Sequence, residues 1–417
     1  MPYTHGKFKA NITQHKAITH PPAPIMILAG AGTGKTTTLI HRIIYLIQHY
    51  KTDPKSILAI TYTEKAAREL KDRIIDVIGQ SAEQMTVSTF HAFCFNLVKD
   101  FKPSGATPIL LEESEAAFLL LNRFDELGPF KSREFPQHPI QAVTNSFIPF
   151  FNRTRDELIE INSKSIDLKS LDPEKCAQLS DLKRIYPIFQ EWKESMNVVD
   201  YGDMISSAYQ LLNSNETILQ KVQSQYQHLI IDEFQDNNFA LNEIIGLIAQ
   251  KKHQITVVGD EDQVIYSFRG ASIHNIHLFR KRYNNHSNYL EIALEENFRS
   301  NQEILNVANS SIINNVDRVE KALQSFKGNA NSKPTLFYGL KDNQNQFIVE
   351  KINKLTNEGK LFNDIAILCR TQGQATSLTT YLHSYGIPVQ ARFPRFFDIP
   401  SVKDLNSWCQ VIGGGKY

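Results

Sequence analysis

Short runs of apolar residues alternate along this chain with longer segments whose apolar residues recur at intervals of three and four. The short runs predict buried strands, and they cover residues 25–28, 57–63, 85–88, 228–231, 255–258 and 289–294. The longer segments predict amphipathic helices between the strands. Strands that alternate with helices indicate an α/β fold whose parallel sheet is covered on both faces. Because such sheets bind ligands at the carboxyl ends of their strands, the residues after each run are the first candidates for function.

The run at 25–28 leads into a glycine-rich loop and then into an amphipathic helix. The glycines let backbone N–H groups turn toward a bound anion, and the new helix adds its positive dipole end. Lys35 would contact the β- and γ-phosphates of a nucleotide, and the Thr36 hydroxyl would bind Mg²⁺. A chance Lys-Thr pair after a glycine turn is the alternative, and the order strand, loop, helix argues against it. The predicted nucleotide-binding residues of this loop are Ala29, Gly30, Ala31, Gly32, Thr33, Gly34, Lys35, Thr36 and Thr37.

Two adjacent carboxylates, Asp232 and Glu233, follow the run at 228–231. Beside a phosphate-binding loop they would have separate tasks. Asp232 would hold the Mg²⁺ that bridges the phosphates, and Glu233 would orient and deprotonate the attacking water. A polar strand end next to a turn is the alternative, and the phosphate loop earlier in the chain favours the catalytic interpretation.

Three further side chains could reach a bound nucleotide. Gln14 lies on a predicted short helix before the loop and offers a donor and an acceptor that suit an adenine edge. Gln263, after the run at 255–258, could sense a γ-phosphate, and Arg299 could reach a phosphate from the segment that follows the last run. Most glutamines are solvated, so Gln14 gains meaning only together with the other motifs.

The segment after Gln263 is rich in aromatic residues. Tyr266, Phe268 and Arg269 combine two rings with a guanidinium, which suits base stacking and backbone contact on a single nucleic-acid strand. Inward packing of the two rings explains the composition equally well. Residues 61–63 form another polar strand end that would lie at the same edge of the sheet as the phosphate loop.

Residues 102–199 differ from the rest because they read as helical and polar, contain several prolines and lack a convincing buried strand. They predict a helical insertion in the first α/β domain. From residue 301 a shorter βαβ unit follows, with helices predicted at 304–314 and 375–385 and strands at 335–338, 365–368 and near 389. The predicted domains are a first α/β part at 1–101, the insertion at 102–199, a second α/β part at 200–297 and a further unit at 298–417.

Composition narrows the class of protein without adding chemistry. A chain of 417 residues suggests two to three domains, and 41% hydrophobic with 21% charged residues is ordinary for globular proteins. The formal charge of +1 does not decide for or against nucleic acid. Four scattered cysteines predict reduced thiols. With no apolar run near ~18 residues and no signal-peptide core, we expect a cytoplasmic protein without a membrane partner.

Six blocks resemble the UvrD/Rep/PcrA family of superfamily 1 DNA helicases, in the family's order and over nearly the whole chain. The blocks are AGAGTGKTTTL, AITYTEKAARELKDRI, STFHAF, LIIDEFQD, VVGDEDQVIYSFRGAS and LEENFRS. The resemblance implies a RecA-like P-loop fold with a helical insertion, followed by a partial second RecA-like domain. It implies ATP and Mg²⁺ as cofactors and single-stranded DNA, or a junction with duplex, as the partner. In the family, two RecA-like domains close on ATP and step along single-stranded DNA in the 3′→5′ direction.

The resemblance also implies roles for individual residues. Gln14 would read adenine, Phe298 would stack on it, and Arg299 would contact the γ-phosphate. Gln263 would couple the γ-phosphate to DNA, and the phosphate, metal and catalytic roles given above are those of the family. The residues implied in DNA binding are Thr61, Tyr62, His91, Tyr266, Phe268 and Arg269.

Three departures from the family pattern shape the functional expectation. Thr37 replaces an arginine that covers adenine in several relatives, and Phe268 replaces a common tryptophan. The family's later blocks, with another γ-phosphate arginine, are not found. We therefore expect an N-terminal helicase portion that binds ATP, hydrolyses it poorly alone and needs an accessory protein or the missing region. The alternatives are a nucleotide-gated DNA-binding or regulatory module without helicase activity, and a P-loop NTPase unrelated to DNA.

Overall fold

The computed structural model describes residues 3–101, 107–161, 172–250, 254–265, 273–315, 318, 321–390, 405 and 408–409. Its strands are β1 (Thr4–His5), β2 (Phe8–Lys9), β3 (Ile25–Ala29), β4 (Ile57–Thr61), β5 (Thr86–Thr89), β6 (Ile109–Leu110), β7 (Val198–Val199), β8 (His228–Ile231), β9 (Ile255–Gly259), β10 (Leu290–Leu294), β11 (Glu296–Asn297) and β12 (Gln324–Ser325). All six predicted strands of the first part are present, with ends that move by one or two residues.

Helices connect these strands and form the segments around them. They are α1 (Ile12–Thr19), α2 (Lys35–Gln48), α3 (Glu64–Ile78), α4 (Phe90–Phe101), α5 (Glu113–Asn122), α6 (Glu134–Gln137), α7 (Pro139–Ala142), α8 (Ile148–Asp156), α9 (Pro173–Ser195), α10 (Tyr201–Ser214), α11 (Glu216–Gln225), α12 (Phe239–Ala249), α13 (His274–Tyr283), α14 (Gln302–Ile312), α15 (Lys341–Asn357) and α16 (Gln372–Ser384). No helix of the described ranges is long and apolar enough to cross a membrane. The cytoplasmic location stays a prediction.

The long strands form one six-stranded sheet in the order β10-β3-β9-β8-β4-β5. Every neighbouring pair in it is parallel, which confirms the predicted α/β class. The carboxyl ends of all six strands therefore meet at one edge. The strand order brings the ends of β3, β9 and β8 side by side, and the ends of β4 and β5 lie next to them.

Both faces of this sheet pack against apolar cores, and every residue of its strands β3 and β4 is buried. In β3, Met26 and Leu28 pack into one core, whereas Ile25, Ile27 and Ala29 pack into the core on the opposite face. Successive side chains of a strand point to opposite faces, so a continuous apolar run serves two layers of helices at once. The sheet thereby fixes the backbone positions from which the polar strand ends project.

The described residues between 113 and 195 are mostly helical, as their pattern predicts, and enclose a core of their own. Aromatic rings dominate that core: Phe124 stacks on Phe147, and Phe151 stacks on Phe189. On either side of this segment, the two-residue strands β6 and β7 pair with each other. The segment is thus an aromatic helical layer inserted between β5 and β8 of the central sheet.

The chain divides into two compact units, residues 1–332 and 333–417. The second contains α15 and α16, which share a small core of Val349, Ile352, Leu382 and Ile387. The strands predicted at 335–338, 365–368 and near 389 are wrong, because these residues lie outside regular secondary structure. A strand needs a neighbour for its backbone hydrogen bonds, and the described residues supply none there. The predicted domain ranges stay predictions.

Candidate nucleotide-binding site

The glycine loop leaves the sheet at Ala29, which pairs with Leu294 as the last residue of β3. Ala29 belongs to β3 and is not among the residues with a positive φ, so this position does not require a glycine. The loop then turns through Gly32 and Gly34, whose φ angles are +82° and +83°. The Thr33 hydroxyl closes the turn by donating to the Gly30 carbonyl at 2.8 Å. The loop has the backbone form that turns N–H groups toward an anion.

The first turn of α2 consists of Lys35, Thr36 and Thr37 and follows Gly34 directly. The first N–H groups of a helix have no partner within it, and its dipole is positive there. Four predicted features therefore meet at one point: glycine turns, free N–H groups, an ammonium and a hydroxyl. Together they form a candidate anion site.

A short ion pair joins the loop to the carboxylate strand end. The Lys35 ammonium donates to Glu233 Oε2 at 2.7 Å. The same oxygen accepts from Gln235 Nε2 at 2.8 Å, and Gln235 is almost fully buried. Glu233 is thus held by two donors in a fixed orientation toward the phosphate loop.

An unusual backbone conformation determines the position of the Glu233 side chain. Glu233 is the second residue after β8 and has φ +48° and ψ +47°, a left-handed conformation that is unusual for a residue with a side chain. It immediately precedes a short 3-10 turn at Phe234–Asp236. A strained turn at this place is a cost of about 1–3 kcal/mol, which the surrounding contacts must offset.

Two further carboxylates lie near Glu233 in the chain: Asp232 is buried and Asp236 is half-buried. Burial and the negative charge of Glu233 raise the pKa of Asp232 to about 6, although Lys35 opposes the rise. The same two causes raise the pKa of Asp236 to about 6. The Oδ1 atom of Asp236 has no hydrogen-bond partner among the described residues. The site therefore carries more negative charge than its own cations balance.

That charge distribution fits a divalent cation. Asp232, Asp236 and the Thr36 hydroxyl offer only oxygen donors, which Mg²⁺ prefers. The unpaired Asp236 Oδ1 and the raised carboxyl pKa values are compatible with a divalent cation bound beside them. Thr36 and Asp232 were predicted as metal ligands from the sequence, and their ligand role stays a proposal.

The turn at 297–300 packs directly on the glycine loop. Asn297 Nδ2 donates to the Ala31 carbonyl at 2.6 Å, and the Phe298 N–H donates to the Gly32 carbonyl at 2.9 Å. Asn297 Oδ1 accepts from the Arg299 N–H at 2.9 Å. The exposed Arg299 side chain thus starts from a backbone that is hydrogen-bonded to the phosphate loop.

Gly32 is required at this contact for two reasons. A Cβ at this position would lie 2.7 Å from Arg299 Cβ and 2.8 Å from Asn297 Nδ2. In addition, its φ of +82° costs a side-chain-bearing residue about 1–2 kcal/mol. We expect Gly32→Ala to lower the free energy of unfolding by more than this backbone cost and to weaken nucleotide binding.

Gly328→Ala is the matched control for Gly32→Ala. Gly328 has a φ of +75° but nothing within 4 Å of an added Cβ, so only the backbone cost applies. Denaturant unfolding of both variants measures the difference. Equal losses of stability would show that the turn at 297–300 does not press on the loop.

Two predicted nucleotide contacts are held by the protein itself. Gln14 is 2% exposed; its Nε2 donates to the Thr33 carbonyl at 3.3 Å and its Oε1 accepts from the Asn11 N–H at 3.2 Å. Gln263 donates through Nε2 to Asp260 Oδ2. Both glutamines lie against the site, and their contacts with a nucleotide stay a proposal.

Three of the predicted DNA contacts lie at the carboxyl ends of β4 and β5, on the side of the sheet edge away from the phosphate loop. Thr61 ends β4, Tyr62 follows it, and His91 lies in the first turn of α4 after β5. Thr61 is buried and donates to the Thr63 carbonyl, whereas the His91 ring lies edge-on to Tyr201 at 5.2 Å. The other three predicted DNA contacts, Tyr266, Phe268 and Arg269, lie outside the described residues.

Comparison with known proteins decides the family. The family model described as the UvrD/REP helicase N-terminal domain matches residues 10–284, and the UvrD-like helicase C-terminal domain matches residues 292–412. The first match alone covers more than half of the chain. The chain belongs to the UvrD/REP helicase family.

Curated relatives agree with this assignment. The chain is 32% identical over 419 residues to the ATP-dependent DNA helicase PcrA of Staphylococcus aureus, covering 97% of this chain and 54% of the relative. It is 32% identical over 411 residues to DNA helicase II of Haemophilus influenzae, with coverage of 96% and 54%. For the ATP-dependent DNA helicase UvrD1 of Mycobacterium bovis the identity is 30% over 415 residues, with coverage of 96% and 52%. The chain spans about half the length of these relatives.

Several residues of this UvrD/REP site were not predicted from the sequence. Asn297 and Gln235 lie inside the blocks LEENFRS and LIIDEFQD. Their closeness in sequence to Arg299 and Glu233 was the signal that could have marked them as residues of the site. Asp260 directly follows β9 and could have been noted as a strand-end carboxylate. Lys321 has no local signal at all, because its contacts lie about 60 residues earlier in the chain.

Proposed function

We propose that this chain carries the ATP-hydrolysing site of an ATP-dependent DNA helicase or translocase, which couples ATP hydrolysis to movement along single-stranded DNA, 3′ to 5′. The observation that carries the proposal is the 2.7 Å pair between Lys35 of the phosphate loop and Glu233 of the carboxylate strand. It brings an anion-binding cation and a base to one place. The names of the relatives, ATP-dependent DNA helicase and DNA helicase II, support the same activity.

The ion pair suggests how ATP prepares its own hydrolysis. Incoming β- and γ-phosphates compete for Lys35, since a phosphate carries more negative charge than one carboxylate. When Lys35 moves to the phosphates, Glu233 loses one donor and keeps the other, Gln235. Glu233 is then an oriented carboxylate with a free acceptor position. It can take a proton from water attacking the γ-phosphate, which yields ADP and phosphate.

The remaining residues of the site would bind the nucleotide and neutralise the negative charge of its phosphates. Thr36 and Asp232 would hold Mg²⁺, which supplies positive charge to the phosphate oxygens when it is bound. Arg299 would add a guanidinium to the γ-phosphate, and Phe298 would stack on the adenine whose edge Gln14 reads. Gln263 would report the presence of the γ-phosphate at the end of β9.

DNA would bind along the neighbouring half of the same edge. Thr61, Tyr62 and His91 project from β4 and β5, and β8 with the catalytic carboxylate lies beside β4. Single-stranded DNA, or its junction with duplex, would therefore bind one or two strands away from β8, which carries the catalytic carboxylate. Because these strands are neighbours, a change at the catalytic carboxylate on nucleotide binding would be transmitted over a short distance to the DNA contacts.

ATP turnover by the full chain, measured with and without a single-stranded oligonucleotide, tests the proposal. We expect DNA to stimulate turnover and a partial duplex to be separated only when ATP is present. Binding of both ATP and DNA without turnover would instead identify a nucleotide-gated binding module. Turnover that ignores DNA would contradict the DNA part of the proposal.

Tyr62→Ala should weaken single-stranded DNA binding by about 1–3 kcal/mol, because it removes one stacking ring. Nucleotide affinity should stay within about twofold, since β4 is not one of the strands that carry the phosphate site. Fluorescence anisotropy with a labelled oligonucleotide measures the change. The control is Tyr50→Ala, a partly exposed ring that precedes β4 and lies toward the opposite edge of the sheet. If both variants bind DNA alike, Tyr62 is not a stacking platform.

A further inference from the structure

A buried lysine holds the end of β9. The Lys321 ammonium donates to Asp260 Oδ1 at 2.5 Å and lies 3.0 Å from Glu261 Oε2 and 3.3 Å from Asp262 Oδ2. Its side chain is 2% exposed, and the side chains of Asp260, Glu261 and Asp262 are 4%, 1% and 12% exposed. Three successive carboxylates at a strand end repel one another, and this ammonium is in contact with all of them.

Asp260 connects that lysine to the catalytic centre. Its Oδ2 accepts from Gln263 Nε2, and its backbone N–H donates to Gln235 Oε1 at 2.9 Å. Gln235 in turn donates to Glu233 Oε2, which accepts from Lys35. An unbroken series of hydrogen bonds therefore runs from the buried ammonium to the ammonium of the phosphate loop.

The residues that follow the lysine pack on the phosphate loop. Leu323 Cδ2 lies 2.7 Å from the position that a Cβ on Gly30 would take, so the leucine fills the space that the glycine leaves. The next two residues form β12, which pairs with β11, and β11 contains the Asn297 that donates to Ala31. Residues 321–325 thus contact the phosphate loop and the end of β9 together.

Arg318 contacts both the backbone of Lys321 and one of the carboxylates that Lys321 binds. Its guanidinium binds both carboxylate oxygens of Asp262, at 3.0 and 2.9 Å, and donates to the Lys321 carbonyl at 3.2 Å. A bidentate pair of this kind fixes geometry as well as charge. It fixes the backbone from which the lysine side chain extends.

We propose that Lys321, supported by Arg318, is a positioning residue of the nucleotide site that sets the orientation of Gln263 and of Glu233 through Asp260 and Gln235. The inference rests on the proposed function. Without the ammonium, Asp260 loses the cation that contacts it in the described structure, and the three carboxylates repel. The end of β9 then shifts, and a displacement near 1 Å at a catalytic group can cost about 10²-fold.

The test compares two nucleotides in the full chain. If Lys321 positions the group that senses the γ-phosphate, Lys321→Met should weaken binding of a non-hydrolysable ATP analogue by about tenfold or more. Binding of ADP, which lacks that phosphate, should change by less than about twofold. The ratio of the two dissociation constants, ATP analogue over ADP, should therefore rise in Lys321→Met. Arg318→Gln should raise the same ratio by a smaller factor. Fluorescent analogues with Mg²⁺ present give both dissociation constants.

The matched control is Lys65→Met, which breaks an exposed pair with Glu69 on α3 and should leave the ratio unchanged. Lys321→Arg keeps the charge, so it should fold even if Lys321→Met does not. Its ratio of dissociation constants for the ATP analogue and ADP should lie close to the wild-type ratio. Equal weakening of both nucleotides, or no change, would overturn the positioning role. A wild-type chain that binds neither nucleotide would refute the proposed function itself, and with it this inference.

Discussion

Glu233→Gln is expected to lower ATP turnover by about 10²–10⁴-fold relative to the wild-type chain, because an amide cannot accept the proton of the attacking water. Nucleotide binding should persist. The glutamine carbonyl can still accept from Gln235 and Lys35, the two donors to Glu233 Oε2. Both residue types carry the same cost for the left-handed backbone, so that cost cancels in the comparison.

Single-turnover hydrolysis and equilibrium binding, measured on the same preparation, separate the two effects. Glu69→Gln serves as the control, since this carboxylate lies exposed on α3 with Lys65 at 3.7 Å. The control should match the wild type in both measurements. Retention of more than about a tenth of the wild-type rate by Glu233→Gln would remove the glutamate from the role of general base.

Asp200→Asn is expected to lower the free energy of unfolding by about 3–5 kcal/mol. Arg155 lies 2.5 Å and Lys193 lies 2.8 Å from Asp200 Oδ2, and both cations also contact Asp203. The two cations and two carboxylates balance while buried. Asparagine keeps the helix cap of α10 and removes only the charge, which leaves one buried cation uncompensated.

The same substitution has a predicted pH dependence. Although burial acts to raise it, the pKa of Asp200 falls to about 2 because Arg155 and Lys193 outweigh burial. The unfolded carboxyl binds a proton near its ordinary pKa of about 3.9, whereas the folded one does so only near 2. The stability advantage of wild type over Asp200→Asn is therefore full above about pH 4 and shrinks as the pH falls toward 2.

Urea unfolding at several pH values measures this advantage. Glu126→Gln is the control: it breaks an exposed pair with Arg123, and such pairs contribute about 0–1 kcal/mol. An Asp200→Asn variant as stable as this control, or an advantage that grows on acidification, would contradict a stabilising buried network.

Much of the central fold follows from local pattern. Apolar runs mark the central strands of the sheet, since a strand buried on both faces is mostly apolar, whereas the edge strands β5 and β10 also contain polar residues such as Ser88 and Glu291. The glycine loop was likewise predicted, because Gly32 and Gly34 adopt the positive φ angles that few other residues tolerate. The same reasoning fails at 335–338, where an apolar run lacks a hydrogen-bonding neighbour in the described structure.

The sequence by itself determined the anion loop, the carboxylate pair and the strands that carry them, because each depends on residues within about ten positions of one another. Only the tertiary structure decided what surrounds them. The strand order places β8 and β9 beside each other, and so brings Gln235 to Asp260. Long-range packing brings Lys321 to the end of β9 and Asn297 to the glycine loop. Burial makes these contacts necessary, since a charge or amide removed from water must find its partner wherever the fold provides one.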